Sequence, residues 1–434
     1  MHVNRVRRAH KRAAAGLAAC VLLGAAMTAA GPATAAPQQQ PQTAQRAPGA
    51  AAPDCSPAYR IEQTLDGGTT WRMCWHYDKY AGVTLDKITY QPKGEPKPIP
   101  VLNSARLGQI HVPYDDGEFE YDDLTGYGFA EDLQTLKPGE CPGGTIKTVK
   151  VPRRGNVKGL CTTTRARGHA YRMSPEGRPS KVWQAQGKDL LIYAVNKTSW
   201  YEYITEWRFS SDGTIASNVG ATGSLSPDDY DGTDGRGWPI GKGASDYAES
   251  HSHNVFWRLD FGLDGSTQSK VEQYDSQVTR GSGAPKTKTT RTPVTQELAG
   301  DAKGMRWWRV VSGAGTNKDG HPRSYEIAPG HTDKHPGREY TNHDVYFTQY
   351  KKCEKYATHN NVPGCGPKSV DKWVNGQTLK HPITWVNIGF HHIARDEDQQ
   401  PMPVHWQGFT LAPRDVTAMN PLTPDDLADE NGRP

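Results

Sequence analysis

Short runs of alternating polar and apolar residues dominate the chain from residue 70 onward: TWRMCWHY (70–77), VTLDKITY (83–90), DLLIYAV (189–195), YITEWRF (203–209) and NVFWRLDF (254–261). Successive side chains of an extended strand point to opposite faces, so a period of two rich in aromatic and β-branched residues specifies strands. Turn chemistry punctuates the runs: SSDG (210–213), GLDG (262–265) and NKDGHP (317–322) supply the Gly, Asp, Asn and Pro that reverse a chain. Helical periodicity is absent over long stretches, apart from a short helix expected near TPDDLADE (423–430). The pattern predicts one large all-β domain, a sandwich or two-sheet barrel with long loops, and contains no repeat of fixed period.

The beginning of the chain has a different character. Residues 1–36 have a basic start, an Ala/Leu/Val/Gly run and the small-residue string ATAA before Pro37, which reads as a secretory signal peptide cleaved near Ala36. LAAC ending at Cys20 also fits a lipoprotein signal, and Arg7 with Arg8 a twin-arginine signal; Cys20 lies inside the apolar run, which favours cleavage near Ala36. Residues 37–54, including PQQQPQTAQRAPGAAAP, offer nothing to bury and read as a disordered linker, so the folded domain is expected over 55–434. No other run is long and apolar enough to span a bilayer, and the expected localisation is secreted. The formal net charge of +4 shows no concentrated Lys/Arg block beyond the N-terminus, which argues against nucleic acid as a partner.

Without Cys20, the cysteines are Cys55, Cys74, Cys141, Cys161, Cys353 and Cys365, an even set suited to an oxidising compartment. Pairing sequence neighbours gives Cys55–Cys74, Cys141–Cys161 and Cys353–Cys365, one of many connectivities open to such a set. None lies in a C-x-x-C pair, which argues against a thiolate metal site.

Neither a Gly-rich phosphate loop nor a G-x-S-x-G elbow is present. What remains is histidine. His251 and His253 in HSHNVFWRLD lie two residues apart, so on a strand they share a face and can share a metal ion. NIGFHHIARDEDQQPMP (387–403) adds His391 and His392; its other reading is a solvated acidic turn with Arg395 paired to Asp396, Glu397 or Asp398. A three-His site with open positions serves catalysis, with zinc and water for hydrolysis or with copper for oxygen chemistry.

WVNIGFHHIARDEDQQPMPVHWQGFTLAPRDVTAMNP (385–421) resembles the C-terminal signature of the copper amine oxidases, with His392 in the position of the last copper ligand. HSHNVFWRLDFGLDG (251–265) resembles that family's H-x-H strand, and FSSDGTIASNVGATG (209–223) the segment between quinone and copper ligands. The likeness runs from about Trp71 to Pro421, including DKITYQPKGEPKPIPVLNSARLGQIHVPY (86–114), and implies the family's large two-sheet β-sandwich catalytic domain without the small domains that precede it in many members.

The resemblance implies Cu(II) held by His251, His253 and His392, and topaquinone formed from Tyr201 in SWYEYITE (199–206), with Tyr203 completing the motif. Trp200 stands where the family has Asn, and Lys197 where it has Ser or Thr. Asp123 in YDDLTGYG falls in the place of the catalytic base, with Asp122 beside it and Thr125 and Gly126 replacing the usual Gly-Glu; the other reading of YDDGEFEYDD (114–123) is a solvated acidic loop. Tyr114 matches a tyrosine that hydrogen-bonds the quinone, and the GECPGG and GLCTTT segments match an intradomain bridge, which supports Cys141–Cys161. Of the calcium positions used by some members, Asp260 is present while Gly262 and His381 occupy the others, and calcium is not expected.

The implied reaction turns a small primary amine and O2 into aldehyde, ammonia and hydrogen peroxide, with Asp123 taking the α-proton. A homodimer is implied too, or a second polypeptide supplying what precedes the domain. Two readings compete: a non-enzymatic or quinone-less copper-binding β-sandwich, for which Trp200 argues, and a zinc hydrolase on the same histidines, which leaves the tyrosine motif without a role.

Overall fold

The computed structural model describes residues 55–174, 181–227, 237–242, 246–366 and 368–427. The expected signal peptide and linker lie outside them, and all described residues belong to the unit Ala47–Pro434. Among the described residues no helix is long and apolar enough to cross a membrane.

Two large antiparallel sheets carry the fold, as the alternating pattern predicts. The first runs Arg60–Thr64, Thr70–Asp78, Gly82–Gln91, Ile99–Pro113, His251–Phe261, Pro382–His392, Val345–Gln349 and Leu298–Gly300, with Glu120–Asp122 paired to the end of Ile99–Pro113. The second runs Lys286–Val294, Lys270–Thr279, Trp307–Thr316, Pro322–Pro329, Met402–Arg414, Ile215–Gly223, Tyr201–Ser210, Trp183–Thr198, Gly155–Met173 and Thr145–Val151. A small hairpin pairs Trp238–Ile240 with Asp246–Ala248.

The inner faces meet through large rings. Trp71 of the first sheet lies 5.1 Å from Phe209 of the second and donates its indole N–H to the Ser210 carbonyl at 2.9 Å. Trp257 meets Phe409 across the same gap at 5.2 Å. These rings are essentially fully buried, and truncating one such as Phe209 to Ala would cost about 3–5 kcal/mol, because the facing sheets cannot close over the void. His251–Phe261 is buried along its whole length, as befits a central strand covered on both faces.

The three neighbour disulfides are formed, with Cα separations of 6.1, 5.7 and 5.6 Å for Cys55–Cys74, Cys141–Cys161 and Cys353–Cys365. Of the helix expected near residues 423–430, the described residues show a single 3₁₀ turn, Asp425–Leu427; residues 428–430 lie outside them. Leu427 N–H closes the turn on the Pro424 carbonyl at 3.0 Å, while Asp425 and Asp426 reach outward to Lys93 and Trp183.

Candidate active site

His251 and His253 face inward from one strand, and register places His392 of the neighbouring strand directly opposite His251. All three are buried, and their nitrogens come within 4.8 Å of one another. Each ring also has one nitrogen engaged away from the others. His251 Nδ1 lies 3.5 Å from the Glu249 carbonyl, His253 Nδ1 3.3 Å from Tyr203 Oη, and His392 Nε2 2.9 Å from Asp398 Oδ2. These outward partners orient the rings and hold their tautomers, as around metal-binding imidazoles.

The inner nitrogens remain for a ligand. His253 Nε2 is buried without a hydrogen-bond partner. Burial and the neighbouring His392 push His251 down to about 3, and burial with the adjacent histidines pushes His253 well below its ordinary range, so both stay neutral with lone pairs available. Neutral imidazoles converging on one point suit copper or zinc, and the residues fit such an ion.

Tyr201 arrives from the opposite sheet. A two-residue turn, Ser199–Trp200 with Ser199 at φ 52°, makes Tyr201 the first residue of its strand. Gly223 lies across from Tyr201 at φ +112°, where a Cβ would come within 2.4 Å of the Trp200 carbonyl, so the hairpin seats closely only on glycine. Tyr201 Oη lies 2.7 Å from His251 Nε2, 3.0 Å from His392 Nδ1 and 3.9 Å from Met402 Sδ. Tyr203 stacks on Tyr201 at 5.7 Å and donates its hydroxyl to Asp123.

Asp123 begins a one-turn helix, Asp123–Gly126, and is buried; the stretch read alternatively as a solvated acidic loop ends instead in a strand and this helix, with Asp122 and Asp123 both inside. Burial raises Asp123 to about 7, with the Tyr203 hydrogen bond opposing and the adjacent Asp122 adding. A narrow recess leads to Tyr201 between Val112, Tyr114, Tyr121, Tyr127, Trp200 and Asp123. Trp200 donates its indole N–H to Tyr114 Oη at 3.2 Å and meets Tyr121 edge-on, while Tyr114 stacks on His251 at 4.8 Å. The indole therefore forms part of the wall of the recess.

His391 faces away from His392, as strand alternation requires, and pairs with Asp115 at 2.8 Å. Lys197 pairs in register with Glu202. His381 Nε2 lies 2.8 Å from Asp260 Oδ1, which Asn103 also approaches at 3.1 Å, while a Cβ on Gly262 would strike Asn103.

The reading of 395–398 as a solvated turn is corrected for Asp398, which is fully buried between His392, the Arg395 N–H and His405. Burial opposes its charge, but the His392 hydrogen bond prevails and holds the carboxyl below its usual range. Sequence reasoning also missed His111, Thr358 and His359, which surround Asp122. Thr358 and His359 come from a distant part of the chain, and His111 reaches Asp122 as its partner across the hairpin that joins Ile99–Pro113 to Glu120–Asp122, a register that residue types alone do not reveal.

The chain is similar to known proteins over most of its length. The model of the copper amine oxidase enzyme domain matches residues 69–426. The chain is 26% identical over 406 residues to histamine oxidase of Arthrobacter globiformis, covering 84% of this chain and 58% of that protein. It is 24% identical over 408 residues to primary amine oxidase 2 of Arabidopsis thaliana, covering 84% and 59%. It thus spans about three fifths of the length of these curated relatives. A copper-containing benzylamine oxidase from Hansenula polymorpha superposes with a TM-score of 0.71 at 20% identity, over 83% of this chain and 62% of that one, which carries the sandwich fold. With the enzyme-domain match extending over most of its length, the chain belongs to the copper amine oxidase family.

Proposed function

We propose that the protein is a secreted copper- and topaquinone-dependent oxidase of small primary amines, with aldehyde, ammonia and hydrogen peroxide as products. The observation that carries this reading is the position of Tyr201 Oη, 2.7 Å from His251 Nε2 and 3.0 Å from His392 Nδ1. His251, His253 and His392 would hold copper through their inner nitrogens. The chemistry supplied there is the oxygen-dependent conversion of Tyr201 to topaquinone, whose electrophilic carbonyl captures a primary amine as no unmodified side chain can.

The chain's own residues do the rest. Asp123, poised near neutrality, takes the proton from the carbon beside the amine nitrogen. Tyr203 holds that carboxylate by its hydroxyl and reaches His253 Nδ1, so base and ligand share one brace. Tyr114, Tyr121, Tyr127 and Trp200 line the approach, exclude water and receive the body of the amine. Asp398 fixes the His392 ring by accepting from Nε2.

The same reading assigns residues 1–36 to a signal peptide, 37–54 to a linker and 55–434 to the catalytic domain, with assembly as a homodimer or with a second subunit. Protein produced without copper should turn pink on addition of copper and air, and then give a quinone adduct band with phenylhydrazine. Protein that binds copper yet stays colourless and gives no adduct would instead be a quinone-less copper sandwich.

A further inference from the structure

His111 lies buried behind the recess, and the proposed reaction has no direct use for it. Its Nδ1 faces Asp122 Oδ1 at 3.1 Å and its Nε2 faces Glu120 Oε1 at 2.8 Å. An ionised carboxylate only accepts hydrogen bonds, so a ring with a carboxylate on each nitrogen must carry a proton on both and is a cation. Burial works against that charge, but the two carboxylates prevail and raise the imidazole above its ordinary range. Glu120 is tied in turn to Arg338, at 2.8 and 3.1 Å from its Nε.

Asp122 receives more than His111. Thr358 Oγ1 donates to the same carboxylate, and the His359 ring pairs with its other oxygen. Burial again opposes the charge, but these partners prevail and hold Asp122 below the usual carboxylate range. The next residue is Asp123. Two adjacent buried carboxyls cannot both ionise cheaply, so the better-supplied one keeps the charge and the other takes up the proton.

We propose that His111 is a positioning residue for the base: by holding Asp122 ionised it leaves Asp123 as the carboxyl that binds and releases a proton. The charged and titratable groups facing this pair are Glu120 and Asp122 on the short strand, Asp123 on the helix, Arg338 and Tyr340 on one loop, and His359 on another. Tyr203 approaches Asp123 from the second sheet. The assignment rests on reading Asp123 as the base.

The test is infrared titration of the metal-free full chain, following the protonated-carboxyl stretch with 13C-labelled aspartate. Wild type should show one buried carboxylic acid titrating near pH 7, absent from Asp123→Asn. In Asp122→Asn its midpoint should fall by about one unit, as expected on losing the like charge of the preceding residue. In His111→Gln a second aspartic acid should appear, titrating above the ordinary carboxyl range, and the His111→Gln/Asp122→Asn double variant should lose it. Should His111→Gln fail to fold, Glu120→Gln at the half-exposed rim removes one of the two anions on His111 and should produce the same second band more weakly. An unmoved midpoint in Asp122→Asn, or no second band in the His111 and Glu120 variants, overturns the proposal. Amine turnover of Asp123→Asn is measured separately: full turnover there would overturn Asp123 as base while leaving the carboxyl coupling standing.

Discussion

The phenol oxygen of Tyr201 lies 2.7 Å from Nε2 of His251, a contact made between the two sheets and not along either one. Tyr201→Phe removes that oxygen and leaves every imidazole in place. Copper stoichiometry by metal analysis should stay at the wild-type value, while the phenylhydrazine-reactive chromophore disappears. Colour that survived the substitution would put the quinone at another side chain. Removing one buried hydroxyl should cost about 1–3 kcal/mol, because the ring nitrogens it met lose a partner.

Asp398 acts on the same centre through His392. Replacing its carboxylate by a carboxamide in Asp398→Asn weakens the acceptor that fixes the Nε2–H tautomer and lowers the basicity of Nδ1. Copper affinity, measured by competition with a chelator, should fall by about 10–100-fold. Unchanged affinity would mean that packing alone orients the ring.

Asp123→Asn should lower amine oxidation by about 10²–10⁴-fold, the usual worth of a positioned base. In wild type the acid limb of kcat/KM should rise with pH through about 7, where the base of the free protein loses its proton. The same group leaves a mark on stability. Its folded value lies above the ordinary carboxyl value of 3.8, so its contribution to the fold is complete below that pH and is lost as pH rises to about 7. Across that window Asp123→Asn should therefore gain stability relative to wild type, by on the order of a few kcal/mol, in denaturant titrations repeated at several pH values.

Trp200 donates to Tyr114 and meets Tyr121 edge-on at 6.1 Å, so it shapes the recess from its wall. Trp200→Asn should still form the quinone. It should raise KM for an arylalkylamine such as 2-phenylethylamine by about 3–10-fold, through loss of an aromatic contact worth roughly 0.5–1.5 kcal/mol. KM for a short aliphatic amine should change less. Equal changes for both amines would argue against aromatic recognition by the indole.

Much of this site can be read along the chain because its signals are local. The two-residue spacing of His251 and His253 and the neighbouring cysteines each depend on a few adjacent residues. The acidic stretches were harder. Asp122, Asp123 and Asp398 have the composition of solvated loops, yet all three are buried, because folding brings partners to them: His111 across a hairpin with Thr358 and His359 from a remote loop for Asp122, Tyr203 from the other sheet for Asp123, and the nearby His392 and His405 for Asp398.

The alternating runs and turn residues by themselves determined an all-β chain, and strand alternation determined that His251 and His253 share a face while His391 and His392 do not. Only the tertiary structure decided which ring nitrogens converge, that Trp200 lies in the wall of the recess, and that His111 stands between two carboxylates. The reason is physical: the strand period is imposed by each residue's own backbone, whereas cross-strand register, even within the hairpin that sets His111 against Asp122, and sheet-on-sheet packing leave no local periodic signal.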